Sequence, residues 1–105
     1  LQGRLEAIAD AFGHYVMAEK SVRLEPVAGA AAVERLRMAT PTHVGGREVT
    51  AVKWFDEAGL LRLQLGDALR LQVRPSGTEP KVKLYGEGIE LDPNPFLDEL
   101  ATLLV

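Results

Sequence analysis

The sequence predicts an α+β domain in two layers, a mainly antiparallel sheet of four to five strands with helices on one face. Three observations predict it. Short runs of alternating apolar and polar residues recur between positions 47 and 85, separated by turns too short for a crossover. Helical periodicity flanks these runs on both sides. A length of 105 residues with 47% hydrophobic and 26% charged residues suffices for one compact core.

The elements follow in order. Leu1, Leu5, Ile8 and Phe12 recur at helical spacing, and Gly13 follows as a stop. Residues 14–25, with Val16, Val22 and Leu24, read as extended. Pro26 suits a first helical turn and opens an alanine-rich helix over 27–38, on which Ala32, Val33 and Leu36 share a face. Arg35 and Arg37 fall on its solvent side. Proline and glycine mark 40–46 as a loop. Strands are predicted over 47–56, 61–65, 69–74 and 81–85, with turns at 56–59 and 66–67. Pro93, Asn94 and Pro95 then announce a helix whose apolar face is Phe96, Leu97, Leu100, Leu103 and Leu104, with Asp98 and Glu99 near its positive end.

Composition narrows the chemistry. Without cysteine there is no disulfide, thiolate nucleophile or Cys-based zinc site. His14 and His43, in different segments, make no plausible histidine metal site. No run of about 18 apolar residues offers a membrane span, and no secretory leader pattern opens the chain. The expected location is the cytoplasm. The start inside a helical pattern, without Met, suggests a piece of a longer protein. Net charge is −3, which argues against nucleic acid as a partner. Yet between Arg62 and Lys83 five bases face two acids, a local +3 against −6 in the remainder. A basic patch on an acidic domain fits a small anion better than a polyanion.

That patch holds the most informative stretch, Arg74-Pro75-Ser76-Gly77-Thr78-Glu79-Pro80-Lys81-Val82-Lys83-Leu84-Tyr85. Alternation puts Leu69, Leu71 and Val73 on one face and Arg70, Gln72 and Arg74 on the other. Arg74 therefore emerges on the polar face where the loop begins, and guanidinium is shaped to grip two phosphate oxygens. Ser76 and Thr78 offer hydroxyls. Gly77 lets backbone N–H groups converge on an anion. Pro75 and Pro80 restrict the loop before binding, and Lys81 and Lys83 raise the local potential. Pro-Ser-Gly-Thr is also an ordinary solvated hairpin turn, and residue chemistry alone favours that reading while leaving phosphate binding open. It is not a Walker loop, because a strand pattern follows it rather than a helix.

Residues 74–80 resemble, without a break, the C-terminal phosphate-binding loop of the α-D-phosphohexomutases, the phosphoglucomutase and phosphomannomutase superfamily. Gly59 with the two strands before the loop looks like the family's hairpin leading into it, and Phe12-Gly13-His14-Tyr15 resembles the junction that ends the third domain. The resemblance implies that residues 1–13 trail from the preceding domain and that 14–105 form the fourth, C-terminal domain. It implies that Arg74, Ser76, Gly77 and Thr78 contact the phosphate of a hexose phosphate that is not being transferred. Pro75, Glu79, Pro80, Lys81 and Lys83 would organise the loop or lie at its rim.

The family's phosphoserine loop, aspartate-rich magnesium loop and sugar loop have no counterpart here. No catalytic residue, metal ligand or cofactor is therefore assigned to this chain. Mg2+ and a hexose 1,6-bisphosphate intermediate are implied for the full enzyme, with the missing N-terminal domains of the same polypeptide as partners. The run from Lys81 to Tyr85 looks more like glucose- and mannose-phosphate mutases than phosphoglucosamine mutases. The alternative is a non-enzymatic module binding a small anion or a partner.

The remaining candidates have plainer readings. Trp54 and Phe55 must face opposite sides of a strand, one packing in the core and the other partly exposed, with sugar stacking a less favoured role. His14 and His43 have no carboxylate partner placed by sequence. Asp56 and Glu57 before Gly59 mark a solvated turn.

Overall fold

A computed structural model of the protein describes residues 15–76 and 78–105. The predicted helix at 1–12, His14 and Gly77 lie outside the described residues. The architecture is the one expected: a five-stranded antiparallel sheet with two helices on one face. The strands are β1 (Tyr15–Arg23), β4 (Ala51–Phe55), β5 (Leu60–Leu65), β6 (Leu69–Pro75) and β7 (Lys81–Ile89), in the order β1-β7-β6-β5-β4. β2 (His43–Val44) and β3 (Arg47–Glu48) form a separate two-stranded ribbon. The helices are α1 (Pro26–Met38) and α2 (Asn94–Leu104).

The alternation read in the sequence divides the sheet into two unlike faces. Leu61, Leu63 and Leu65 of β5, Leu69, Leu71 and Val73 of β6, and Val82 and Leu84 of β7 are all buried on one side. Ala32, Val33 and Leu36 of α1, Val44 of β2, and Phe96, Leu97, Leu100 and Leu104 of α2 complete that core. The sixteen buried apolar residues form one cluster, with no buried polar or charged residue among those described. The opposite face carries Arg62, Gln64, Arg70, Gln72, Arg74, Lys81, Lys83, Tyr85 and Glu87, none of them buried, and neither described helix covers it.

α1 begins with proline in its first turn and buries Gly29, Ala32, Val33 and Leu36, the spacing of one helical stripe. A methyl group on Gly29 would come within 3.2 Å of Val82, so glycine lets this helix lie close over β7. The solvent-side reading of Arg35 and Arg37 needs refining. Both are exposed, but Arg35 donates to the Leu104 carbonyl at 3.3 Å, and the Arg37 guanidinium stacks 4.6 Å from the centre of the Trp54 ring. Each arginine ties α1 to a neighbour by its tip.

Two boundaries differ from the sequence reading. The strand expected over 47–56 is split: Arg47 and Glu48 pair back onto His43 and Val44, and only Ala51–Phe55 joins the main sheet. The tight Gly45-Gly46 turn, with φ of 57° and 80°, makes that local ribbon possible and converts part of the expected loop into structure. β7 runs four residues past Tyr85, to Ile89. Gly86 and Gly88 interrupt the side-chain alternation. The space they leave on the core face is filled by Pro93 and the Leu91 backbone, against which a Cβ at either glycine would collide.

Candidate functional site

β6 and β7 converge on the loop that the sequence marks out. Their ladder pairs Gln72 with Tyr85, Arg74 with Lys83 and Pro75 with Val82. One further rung closes it, from the Ser76 N–H to the Lys81 carbonyl at 2.9 Å. Facing residues of an antiparallel pair project from the same side, so Arg74 and Lys83 stand together on the uncovered face at the mouth of the loop. Arg74 is exposed, and among the described residues neither it nor Lys83 has a salt bridge or side-chain hydrogen bond.

The loop braces itself. The Glu79 N–H donates to Ser76 Oγ at 3.2 Å, and the Lys81 N–H donates to the Glu79 carbonyl at 2.7 Å. Ser76 thus accepts through its oxygen and keeps its own proton for another acceptor. The Glu79 carboxylate leans back on Lys81 Nζ at 3.5 Å rather than toward Arg74. Thr78 is exposed. The other side is anchored by the Leu24 N–H, which donates to the Pro80 carbonyl at 2.9 Å and so fixes the end of β1 to the loop.

The structure brings together Arg74, Ser76, Lys81 and Lys83 at one end of the sheet. It places Thr78, Glu79 and Pro80 in the loop between them and Pro75 in the last ladder pair of β6. Gly77 lies outside the described residues. Reading the chain one segment at a time misses what β1 adds. Its register pairs Ser21 with Lys83 and Arg23 with Lys81. Ser21, Arg23, Glu79, Pro80 and Lys81 line an open hollow of about 180 Å³ beside the loop. The signal for Arg23 was its place in the β1 alternation, but only the pairing with β7 shows which residues it meets.

The other singled-out residues sit elsewhere. Trp54 lies on the core side, half-buried, with its indole N–H on Asp56 Oδ1 at 3.0 Å. Phe55 lies on the uncovered face, with the Arg62 and Lys53 cations 4.7 and 5.1 Å from its ring centre. Asp56 and Glu57 are exposed in the turn. His43 is exposed, its Nδ1 3.1 Å from Thr42 Oγ1. Among the described residues no three His, Asp or Glu side chains converge to hold a metal ion. No described helix is long and apolar enough to cross a membrane.

Comparison with known proteins points the same way. A family model described as the C-terminal domain of phosphoglucomutase/phosphomannomutase matches residues 16–92. Over 54 residues, 50% of this chain, the sequence is 41% identical to a phosphoglucosamine mutase of Desulfotalea psychrophila. The chain spans 12% of that relative's length. That relative lends no support to the lean, taken from residues 81–85, toward glucose- and mannose-phosphate mutases.

Proposed function

This chain belongs to the phosphoglucomutase/phosphomannomutase family as its C-terminal domain, and on that premise we propose that its loop at 74–78 grips the non-transferred phosphate of a hexose 1- or 6-phosphate. The observation that supports this reading is Arg74 at the loop's mouth, without a side-chain partner among the described residues, beside Lys83 and followed by Ser76 and Thr78. A dianion there would meet one guanidinium fork, an ammonium and two hydroxyls, with backbone N–H groups close by.

The rest of the reaction belongs to a larger mutase, an isomerase that moves a phosphoryl group within one sugar through a hexose 1,6-bisphosphate. By the resemblance the magnesium loop belongs to the family's earlier domains, so the Mg2+ implied for that enzyme would be held there. The fragment by itself is proposed to be inactive. In two-way transfer the sugar turns end for end between half-reactions, so one clamp must accept either phosphate in turn. Holding that clamp on a separate domain lets it close over the bound sugar and expel water. Such an enzyme works on cytoplasmic sugar phosphates.

Titrating inorganic phosphate into the 105-residue chain tests the reading. One site without the rest of a cleft should bind at about millimolar, ~4 kcal/mol. The amides of Ser76 and Thr78 should shift first. Shifts confined to other segments would remove the loop as the clamp and favour a module with some other partner.

A further inference from the structure

We infer that Arg23 is a further phosphate-binding residue, forming with Lys81 the β1 side of an anion site whose β6 side is Arg74. The inference rests on the reading of the loop as a phosphate clamp and adds a wall to it. Arg23 stands directly across from Lys81 in the β1–β7 register, and the next facing pairs inward are Ser21 with Lys83 and Lys83 with Arg74. All five residues project from the uncovered face. Arg23, Arg74, Lys81 and Lys83 thus stand on three adjacent strands within two rows of one sheet end.

Like charges facing one another across strands repel, and folding tolerates them where something else neutralises them. Glu79 does this for Lys81. Arg23 is exposed and has no salt bridge or side-chain hydrogen bond among the described residues, although it lines the hollow with Ser21, Glu79, Pro80 and Lys81. It is therefore the unneutralised cation of that hollow.

Its position is not left to a flexible tail. The Leu24 N–H, next in the chain, is bonded to the Pro80 carbonyl at 2.9 Å, so the base of Arg23 is fixed to the loop that carries Ser76 and Thr78. β7 alone separates β1 from β6, and Arg23 sits one row beyond Arg74, so their backbones are about 12 Å apart. Two arginine stems close that gap from opposite sides of one phosphate. Lys83 lies between them, and Ser21 offers a hydroxyl beneath. A dianion held this way relieves repulsion on both sides of β7, which a neutral sugar hydroxyl does not. The arrangement selects for a phosphate group rather than for the sugar.

The experiment titrates inorganic phosphate into the 105-residue chain, following the Ser76 and Thr78 amides, for the unaltered chain, Arg23→Ala, Arg23→Lys and Arg74→Ala. Melting temperature is measured with and without phosphate. Arg23→Ala should weaken phosphate binding by about tenfold, the effect of one charge-assisted bond, and Arg23→Lys should recover part of the loss. Without phosphate, Arg23→Ala should melt at the same temperature or higher, because it removes a like-charge pair. A merely structural arginine would do the reverse.

Arg23→Gln removes the charge but keeps the first two methylenes of the stem, and carries the same test should alanine disturb the strand end. Arg23→Ala with unaltered affinity, while Arg74→Ala loses binding, overturns the inference and leaves the loop reading standing. Lowered phosphate-free stability together with unaltered affinity overturns it equally. No phosphate effect in the unaltered chain, or none lost in Arg74→Ala, removes the loop reading and the inference with it.

Discussion

Arg70 and Arg74 lie on the same strand and the same face, two rows apart, and do different work. Arg70 is spent on its neighbours. Its Nη1 reaches Glu87 Oε1 at 3.4 Å, and its Nε reaches Gln64 Oε1 at 3.4 Å. Glu87 in turn accepts from the Tyr15 hydroxyl at 3.1 Å. Arg74 faces Lys83, a like charge, and has no acid beside it among the described residues. One end of the uncovered face closes its own charge balance, and the other leaves it open. Residue type, strand and face are shared, so the difference is set by what the partner strand places opposite: glutamate at one end, lysine at the other.

The largest expected effect tests that difference in catalysis. In a full-length mutase carrying this domain, Arg74→Ala should lower kcat/KM by about 2–4 kcal/mol, because the phosphate forfeits a charge-assisted bond and the sugar its placement. Arg70→Ala should stay within about twofold, under 0.5 kcal/mol. Arg74→Lys should rescue only part, since ammonium cannot make the fork. Lys81→Ala should cost less than Arg74→Ala and depend more on salt, because Lys81 already leans on Glu79 and acts mainly at a distance. Steady-state kinetics of the four variants at two ionic strengths decide it. Equal losses at Arg70 and Arg74 would erase the contrast between the two ends.

How far that contrast was legible in the sequence depends on distance along the chain. The loop motif is contiguous, and the placement of Arg74 on the polar face follows from a period of two within one strand. The α+β class followed from alternation in β5 and β6 and from the apolar stripes of α1 and α2. Arg23 was not legible as a neighbour of the loop, nor Tyr15 as a partner of Glu87. Both depend on the pairing of β1 with β7, strands separated by most of the described chain. In the sequence β7 ends at Tyr85, because Gly86 and Gly88 carry no side chain to alternate. Only the tertiary packing of Pro93 and Leu91 into their space explains why the strand continues. The ribbon at 43–48 was hidden because a run of β-prone residues does not say with which strand it pairs.

A smaller effect should arise in stability and run opposite to the first. In urea, Arg70→Ala should destabilise the 105-residue chain by about 0.2–1 kcal/mol, the range of a partly exposed pair. Arg74→Ala should be neutral or slightly stabilising, since it removes the repulsion with Lys83. The arginine that matters less for turnover would then matter more for folding. If Arg74→Ala proves the more destabilising of the two, the open charge balance at the loop end is an incorrect description.

The smallest effect is the proton on Tyr15, and it reports on the closed end alone. Partial burial raises its pKa first, and the neighbouring Glu87 carboxylate raises it further by repulsion and by accepting the hydroxyl hydrogen bond; Arg70 opposes them. The folded pKa therefore lies above the unfolded one, near 10. The phenol's contribution to stability is complete below about pH 10 and is lost as pH rises through the folded value. In a Tyr85→Phe background Tyr15 is the sole tyrosine of the chain, and its ring can be titrated by NMR. Glu87→Gln should bring the pKa down toward the ordinary range without reaching it, because burial persists. Arg70→Ala should push it higher still, since the one opposing charge is gone. Arg74→Ala should leave it unchanged, because that arginine stands three rows away from Tyr15, beside Lys83. A Tyr15 that responds equally to Arg70 and Arg74 would mean that the two ends of the face share one field, and the loop's cations would then owe their availability to something other than local pairing.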